Sequence, residues 1–168
     1  MKATIFLITL LWVLNINAQD KITVITNTKG TFIETYDYLS YDDSYWQKEA
    51  YRLGPSATKV LKDGIDTAFK WIDLNKTHRK TFQKEICRFK VMDKRDFDFF
   101  GYTERLTKEI KLNFKGYSDN TFEIEITGGG LVGIIPFIKI SDYNYLVGFK
   151  NLLDGKSANK EIDDIFKR

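Results

Sequence analysis

From Lys21 onward the apolar positions fall into short alternating runs, with one longer run of helical period. Lys21 to Asn27 interleaves Ile22, Val24 and Ile25 with polar residues and is rich in β-branched side chains, which predicts a first strand. Thr28-Lys29-Gly30 has turn chemistry, and Thr31 to Leu39 resumes as a second strand, so this segment opens as a β-hairpin. Ser40 to Leu53 mixes Tyr and Trp with Asp42, Asp43 and Ser44, a pattern that fits a loop or a short helix.

Gly54-Pro55 breaks the chain, and Ser56 is placed to cap a helix. Val60, Leu61, Ile65, Ala68, Phe69 and Ile72 then recur at three- and four-residue spacing, which predicts an amphipathic helix over 56–74. Gly64 costs that helix ~1 kcal/mol relative to Ala, so it signals close packing or a late start. The period lapses after Asp73, apart from Leu74, and resumes at Phe82 and Ile86. The helix either continues there with its polar side to solvent or breaks near Asn75 and restarts. From Ile86 to Met92 the alternation of Cys87, Phe89 and Val91 with charged residues reads as a strand. Asp93 to Asp96 reads as a turn, and Phe97 to Leu106 as a further strand with Gly101 at a bulge.

The strongest hairpin signal comes next along the chain. Ile110, Leu112 and Phe114 alternate on one strand, Gly116 to Asn120 forms the loop, and Phe122, Ile124 and Ile126 alternate on the other. Pairing Phe114 with Phe122, Leu112 with Ile124 and Ile110 with Ile126 puts six apolar side chains on one face, with Lys111 opposite Glu125 on the other. Gly128-Gly129-Gly130 ends the hairpin, and Pro136 marks Leu131 to Ile140 as an edge strand or as a strand starting at Phe137. Tyr145 to Leu153 fits strand or helix, Gly155 breaks it, and Ser157 can cap a short helix bearing Ile162, Ile165 and Phe166. The fold class is therefore α+β: a mainly antiparallel sheet of five to seven strands, one long helix, unbroken or broken, packed on it, and a short C-terminal helix.

The first eighteen residues stand apart. Lys2 precedes a nearly unbroken apolar run from Ala3 to Leu14, and Ala18 offers a small residue for cleavage. The run matches the ~7–15 residues of a signal-peptide core and falls short of the ~20 that span a bilayer. This predicts a signal over 1–18 and one exported domain over 19–168, periplasmic or secreted, that does not span the membrane once cleaved. A single cysteine, Cys87, excludes an intramolecular disulfide. The core must therefore carry stability, and 13 Phe, 9 Tyr and 3 Trp supply it with large apolar groups. A formal net charge of +3 lacks the positive field of a general nucleic-acid binder, so nucleic acid is not an expected partner.

Candidate chemistry is sparse. Glu123 and Glu125 are two apart on one strand face, hence ~7 Å between Cα atoms, near the carboxylate spacing of inverting glycosidases. Every Glu-x-Glu strand produces that spacing, and a lysine opposite lowers a carboxyl pKa, so a solvated face is the plainer reading. The triple glycine lacks the Lys and Ser/Thr of a phosphate loop. His78, the only histidine, lies in a charged stretch, and with one cysteine it cannot build a His/Cys zinc set. Asn75-Lys76-Thr77 is a chance-frequency glycosylation sequon. Lys76, Lys80 and Lys84 would form one basic stripe if the stretch were helical. Aromatic residues interleaved with Asp42 and Asp43 make Tyr41, Tyr45 and Trp46 the candidate binding residues, able to stack on sugar rings or anchor a protein interface.

No catalytic residue, metal ligand or cofactor is assigned. The sequence favours a non-enzymatic exported binding or interaction module for a protein or glycan ligand in the envelope or outside the cell. The rival is a small, glycan-directed cell-envelope hydrolase using paired carboxylates. Mass spectrometry of the extracytoplasmic fraction is expected to show a chain beginning at Gln19, within a few residues. A soluble chain still starting at Met1 would refute the signal.

Overall fold

The computed structural model describes residues 21–39, 44–128 and 136–156. The expected signal, the segment 40–43, Gly129 to Ile135 and the expected helix from Ser157 lie outside the described residues. Those described form an α+β arrangement, a seven-stranded antiparallel sheet in sequential order with three α-helices.

β1 (Lys21–Asn27) and β2 (Gly30–Leu39) pair through a two-residue turn, where Lys29 N–H donates to the Asn27 side chain at 2.8 Å. Gly30 has φ 132°, and a Cβ there would meet the Leu53 carbonyl at 2.8 Å, so only glycine fits. β3 is Ser44–Leu53, a strand where a loop or short helix was expected. Its ladder with β2 runs from Leu39↔Ser44 to Thr31↔Leu53, with an irregularity at Thr35/Tyr36. Tyr and Trp suit a pleated, paired surface, and the partner strand outweighs the polar residues between them.

α1 (Pro55–His78) is one unbroken helix. Gly54, not Ser56, is its N-cap, and Pro55 takes the first turn, where its missing N–H costs nothing. Arg79, in the left-handed conformation, closes the helix by donating its N–H to the Asn75 carbonyl at 2.7 Å. The basic stripe does not form. Lys76 is on α1, Lys80 lies past its end, and Lys84 is on β4 (Phe82–Asp93).

α2 (Lys94–Phe100) replaces the expected turn and the start of the expected strand. Local chemistry decides this: Asp93 accepts from Arg95 N–H at 2.8 Å, and Lys94 pairs with Asp98 one turn on at 2.7 Å. Gly101, at φ 69°, ends α2 instead of making a bulge, and a 3-10 turn at Glu104–Leu106 leads into β5 (Thr107–Gly116).

β5 and β6 (Phe122–Gly128) form the expected hairpin, shifted by two residues. Phe114 faces Ile124, Leu112 faces Ile126, and Lys111 faces Thr127 rather than Glu125. The cause is a tighter loop. Tyr117 pairs with Thr121, and Asn120, at φ 71°, donates to the Tyr117 carbonyl at 3.1 Å, leaving three loop residues. A shift of two preserves parity, so all six apolar side chains remain on the buried face. β7 (Pro136–Ile140) is an edge strand starting at its proline, and α3 (Tyr143–Leu153) is a helix capped by Asp142.

Leu61, Ile65, Ala68 and Ile72 of α1 pack on the inner face of the sheet against Phe89, Leu112, Phe114 and Ile124. α3 adds Leu146, Phe149 and Leu153 and touches β1, β7 and α1. α2 instead contacts β3 and β4, its Phe97 ring edge-on to Phe32 of β2 at 5.7 Å. No described helix is long and apolar enough to cross a membrane.

A Cβ on Gly64 would lie 2.7 Å from Cys87 Sγ and 2.8 Å from Leu112 Cδ2. Gly64→Ala would normally gain a helix ~1 kcal/mol, but overpacking costs about 1–3 kcal/mol. Urea unfolding of Gly64→Ala is expected to show a net loss of stability. Adding Cys87→Ala is expected to restore part of it. A stabilised single variant would contradict this packing.

Candidate functional site

Tyr41 lies outside the described residues. Tyr45 and Trp46 are consecutive positions on β3, opposite Tyr38 and Asp37 of β2. Consecutive strand positions belong to opposite faces, so the two do not share one face of the sheet.

The carboxylate pair lies on the outer face of β6. Glu125 is only 7% exposed and accepts from Lys115 Nζ at 2.8 Å, while Glu123 pairs with Lys139 at 2.7 Å. The expected solvated face is thus an ion-paired one. Burial pushes the Glu123 carboxyl up, but bonds from Lys139 and Tyr117 outweigh it and leave its pKa lowered. Neither glutamate lines the cavity between β4 and α1 or the one between β1 and α3.

The remaining sequence candidates scatter. His78 is exposed at the last position of α1. Asn75 is 3% exposed and its Nδ2 donates to the Tyr117 carbonyl at 2.8 Å, tying α1 to the β5–β6 loop. Gly128 ends β6, and the other two glycines of the run lie outside the described residues. Among the described residues no group of three His, Cys, Asp or Glu side chains could hold a metal ion.

One region does gather functional groups, and the sequence pattern does not point to it. β3 meets β4 over three pairs only, Tyr51↔Asp93, Arg52↔Met92 and Leu53↔Val91. Below that junction, between β4 and the first turns of α1, opens a cavity of about 450 Å³. Arg52, Arg88 and Lys90 bring three cations to its lining, and among the described residues no Asp or Glu lines it. Val60, Phe89, Val91 and Met92 make the apolar wall.

The three cations differ. Arg88 is engaged by Glu85 at 2.5 Å and Glu109 at 3.2 Å, and Lys90 pairs with Glu104. These bonds raise the pKa of both cations. Arg52 is held otherwise. Its Nε donates to the Lys29 carbonyl at 2.7 Å, and its guanidinium lies over Phe97 at 4.5 Å and Tyr102 at 5.2 Å. No described carboxylate pairs with it.

One segment, whose Tyr102 lines the cavity, exposes large apolar side chains. Phe99 is 82% exposed, Phe100 62%, Tyr102 57% and Leu106 38%, all within one segment of α2 and the 3-10 turn. A usable signal was present: reading Phe97 to Phe100 at helical rather than strand period separates Phe97 from Phe99 by most of a half turn. The convergence of Arg52, Arg88 and Tyr102 had no such signal, because it depends on how β3, β4 and α2 meet. Comparison with protein families, with curated proteins and with solved structures found no match to this chain.

A second cavity, of about 380 Å³, lies between β1 and α3 against Ile22, Tyr145, Phe149 and Leu152. Cys87 belongs to neither cavity and is half-buried. Burial, then Glu85 and Asp63, push its thiol up to about 11. Because the folded-state pKa is raised, this group's contribution to stability is present below the unfolded thiol pKa and lost as pH rises through about 11. Thiol labelling at pH 8 is therefore expected to be much slower for the native chain than for the chain in urea. Equal rates would contradict the buried thiol.

Proposed function

We propose that the chain is a non-enzymatic binding module that works outside the cytoplasm, as its first eighteen residues suggest. The observation that carries this reading is the run of exposed side chains at Phe99, Phe100, Tyr102 and Leu106, of which Tyr102 lines the cavity. Exposed aromatics clustered on one short segment mark interaction sites far more often than isolated ones do.

The glycan-directed hydrolase is less well supported. Glu123 and Glu125 each have a lysine partner, and neither has the apolar surroundings that keep a general acid protonated. The β2–β3 end with Tyr41, Tyr45 and Trp46 remains a second binding surface on sequence grounds. Six strand positions separate Trp46 from Arg52, hence ~20 Å, so the two surfaces are distinct.

Site-specific photocrosslinking separates these alternatives. A benzophenone side chain at position 99 is expected to trap a partner in the producing cell, while one at exposed Lys70 on α1 traps none. Trapping at position 46 alone would move the site to the β2–β3 end. Trapping at neither would refute the interaction module. Phe99→Ala is expected to change stability by less than about 0.5 kcal/mol, because the ring is already in water.

A further inference from the structure

We propose that the cavity beside Arg52 recognises a carboxylate on the partner, an acidic side chain flanked by apolar residues in a protein segment. This rests on the interaction-module reading and names the partner's chemistry. Arg52 is the central observation. It is half-buried on β3 between Phe32 of β2 and Met92 of β4. Two rings and the Lys29 carbonyl fix its guanidinium, and that carbonyl takes only the Nε–H. Its Nη groups, the edge that grips a carboxylate in two parallel bonds, donate to no described residue.

Arrangement of the neighbours narrows the ligand further. Glu85, Glu109 and Glu104 already occupy Arg88 and Lys90, so the unmatched charge belongs to Arg52. One guanidinium with no described carboxylate partner matches a single negative charge rather than a phosphate dianion. The apolar wall of Val60, Phe89 and Val91 and a volume of about 450 Å³ suit one acidic side chain with an apolar neighbour. A flat guanidinium held on aromatic faces loses little freedom when it binds, so most of the contact energy would appear as affinity.

The test uses the full chain, labelled with nitrogen-15, and three probes: acetyl-Phe-Glu-Phe-amide, its Gln counterpart, and inorganic phosphate. The Glu peptide is expected to shift the Arg52 Nε–H and the amides of Phe89 and Tyr102 saturably, with Kd on the order of 1 mM. The Gln peptide should bind roughly ten-fold or more weakly, since it leaves the guanidinium without its charge partner. Arg52→Lys should weaken the Glu peptide, and Arg52→Gln should abolish its preference over Gln. Equal binding of the two peptides to the native chain overturns the proposal, as does tighter binding of phosphate than of the Glu peptide. That comparison stands even if a substituted chain fails to fold. A negative result here leaves crosslinking at position 99 unaffected, so the failure of this proposal is distinct from failure of the module.

Discussion

Helix α1 lies so close to β4 and β5 that Gly64 has no room for a methyl group. That closeness lets Leu61, Ile65 and Ala68 bury completely on the sheet, and it also dictates the chain path. From Leu53 the chain runs the 24 residues of α1, ~36 Å, and then returns beneath it as the 12 residues of β4, ~40 Å. The two lengths nearly match. β4 therefore comes alongside β3 only after retracing the helix, and the strands share just three pairs. The cavity with Arg52, Arg88 and Lys90 occupies the place where a longer β3 would continue.

The sheet's outer face handles its charges in two ways. On β5, β6 and β7 the carboxylates and lysines satisfy one another, with Lys115 reaching Glu125 at 2.8 Å and Glu123 at 3.9 Å. Exposed ion pairs contribute at most about 1 kcal/mol each, but these are part-buried, and Glu125 would be costly to leave alone. On β2, β3 and β4 the outer face is covered instead by α2, and Phe32 and Met92 are buried there. Arg52 emerges from this apolar row with rings for neighbours and, among the described residues, no acid paired with it.

Periodicity reached as far as interactions along the chain reach. The α1 stripe, the β5–β6 alternation and the edge position given by Pro136 depend on side-chain period and a single proline, and the structure agrees with each. The hairpin register differs by two residues from the one the pattern predicts, because Asn120 adopts a left-handed conformation that a polar loop composition does not specify. β3 was missed because Tyr45 to Leu53 is ordered by β2, a partner that local pattern does not weigh. In the 97–106 segment two local tendencies compete. Strand propensity of Phe and Tyr competed with an Asp93 cap and a Lys94–Asp98 pair, and the local helix signals prevailed. The candidate site itself was the least legible part, since Arg52 and Tyr102 are neighbours only in three dimensions.

A helix as short as α2 would not persist alone, because nucleation costs more than two turns return. It is held from both sides: the Asp93 side chain fixes its first turn, and Phe97 anchors it against Phe32 and under the Arg52 guanidinium. With Phe97 packed on Phe32, Phe99 falls on the opposite side of the helix, where it stays 82% exposed, and Phe100 contacts it at 4.7 Å. The exposure of Phe99 is thus a consequence of the anchor rather than of a loose segment. The same anchor aligns Arg52, so the exposure of Phe99 and the placement of the Arg52 guanidinium are set by one contact. A ligand that engages both would meet a surface already in its bound geometry, which lowers the ordering cost that usually limits small interfaces.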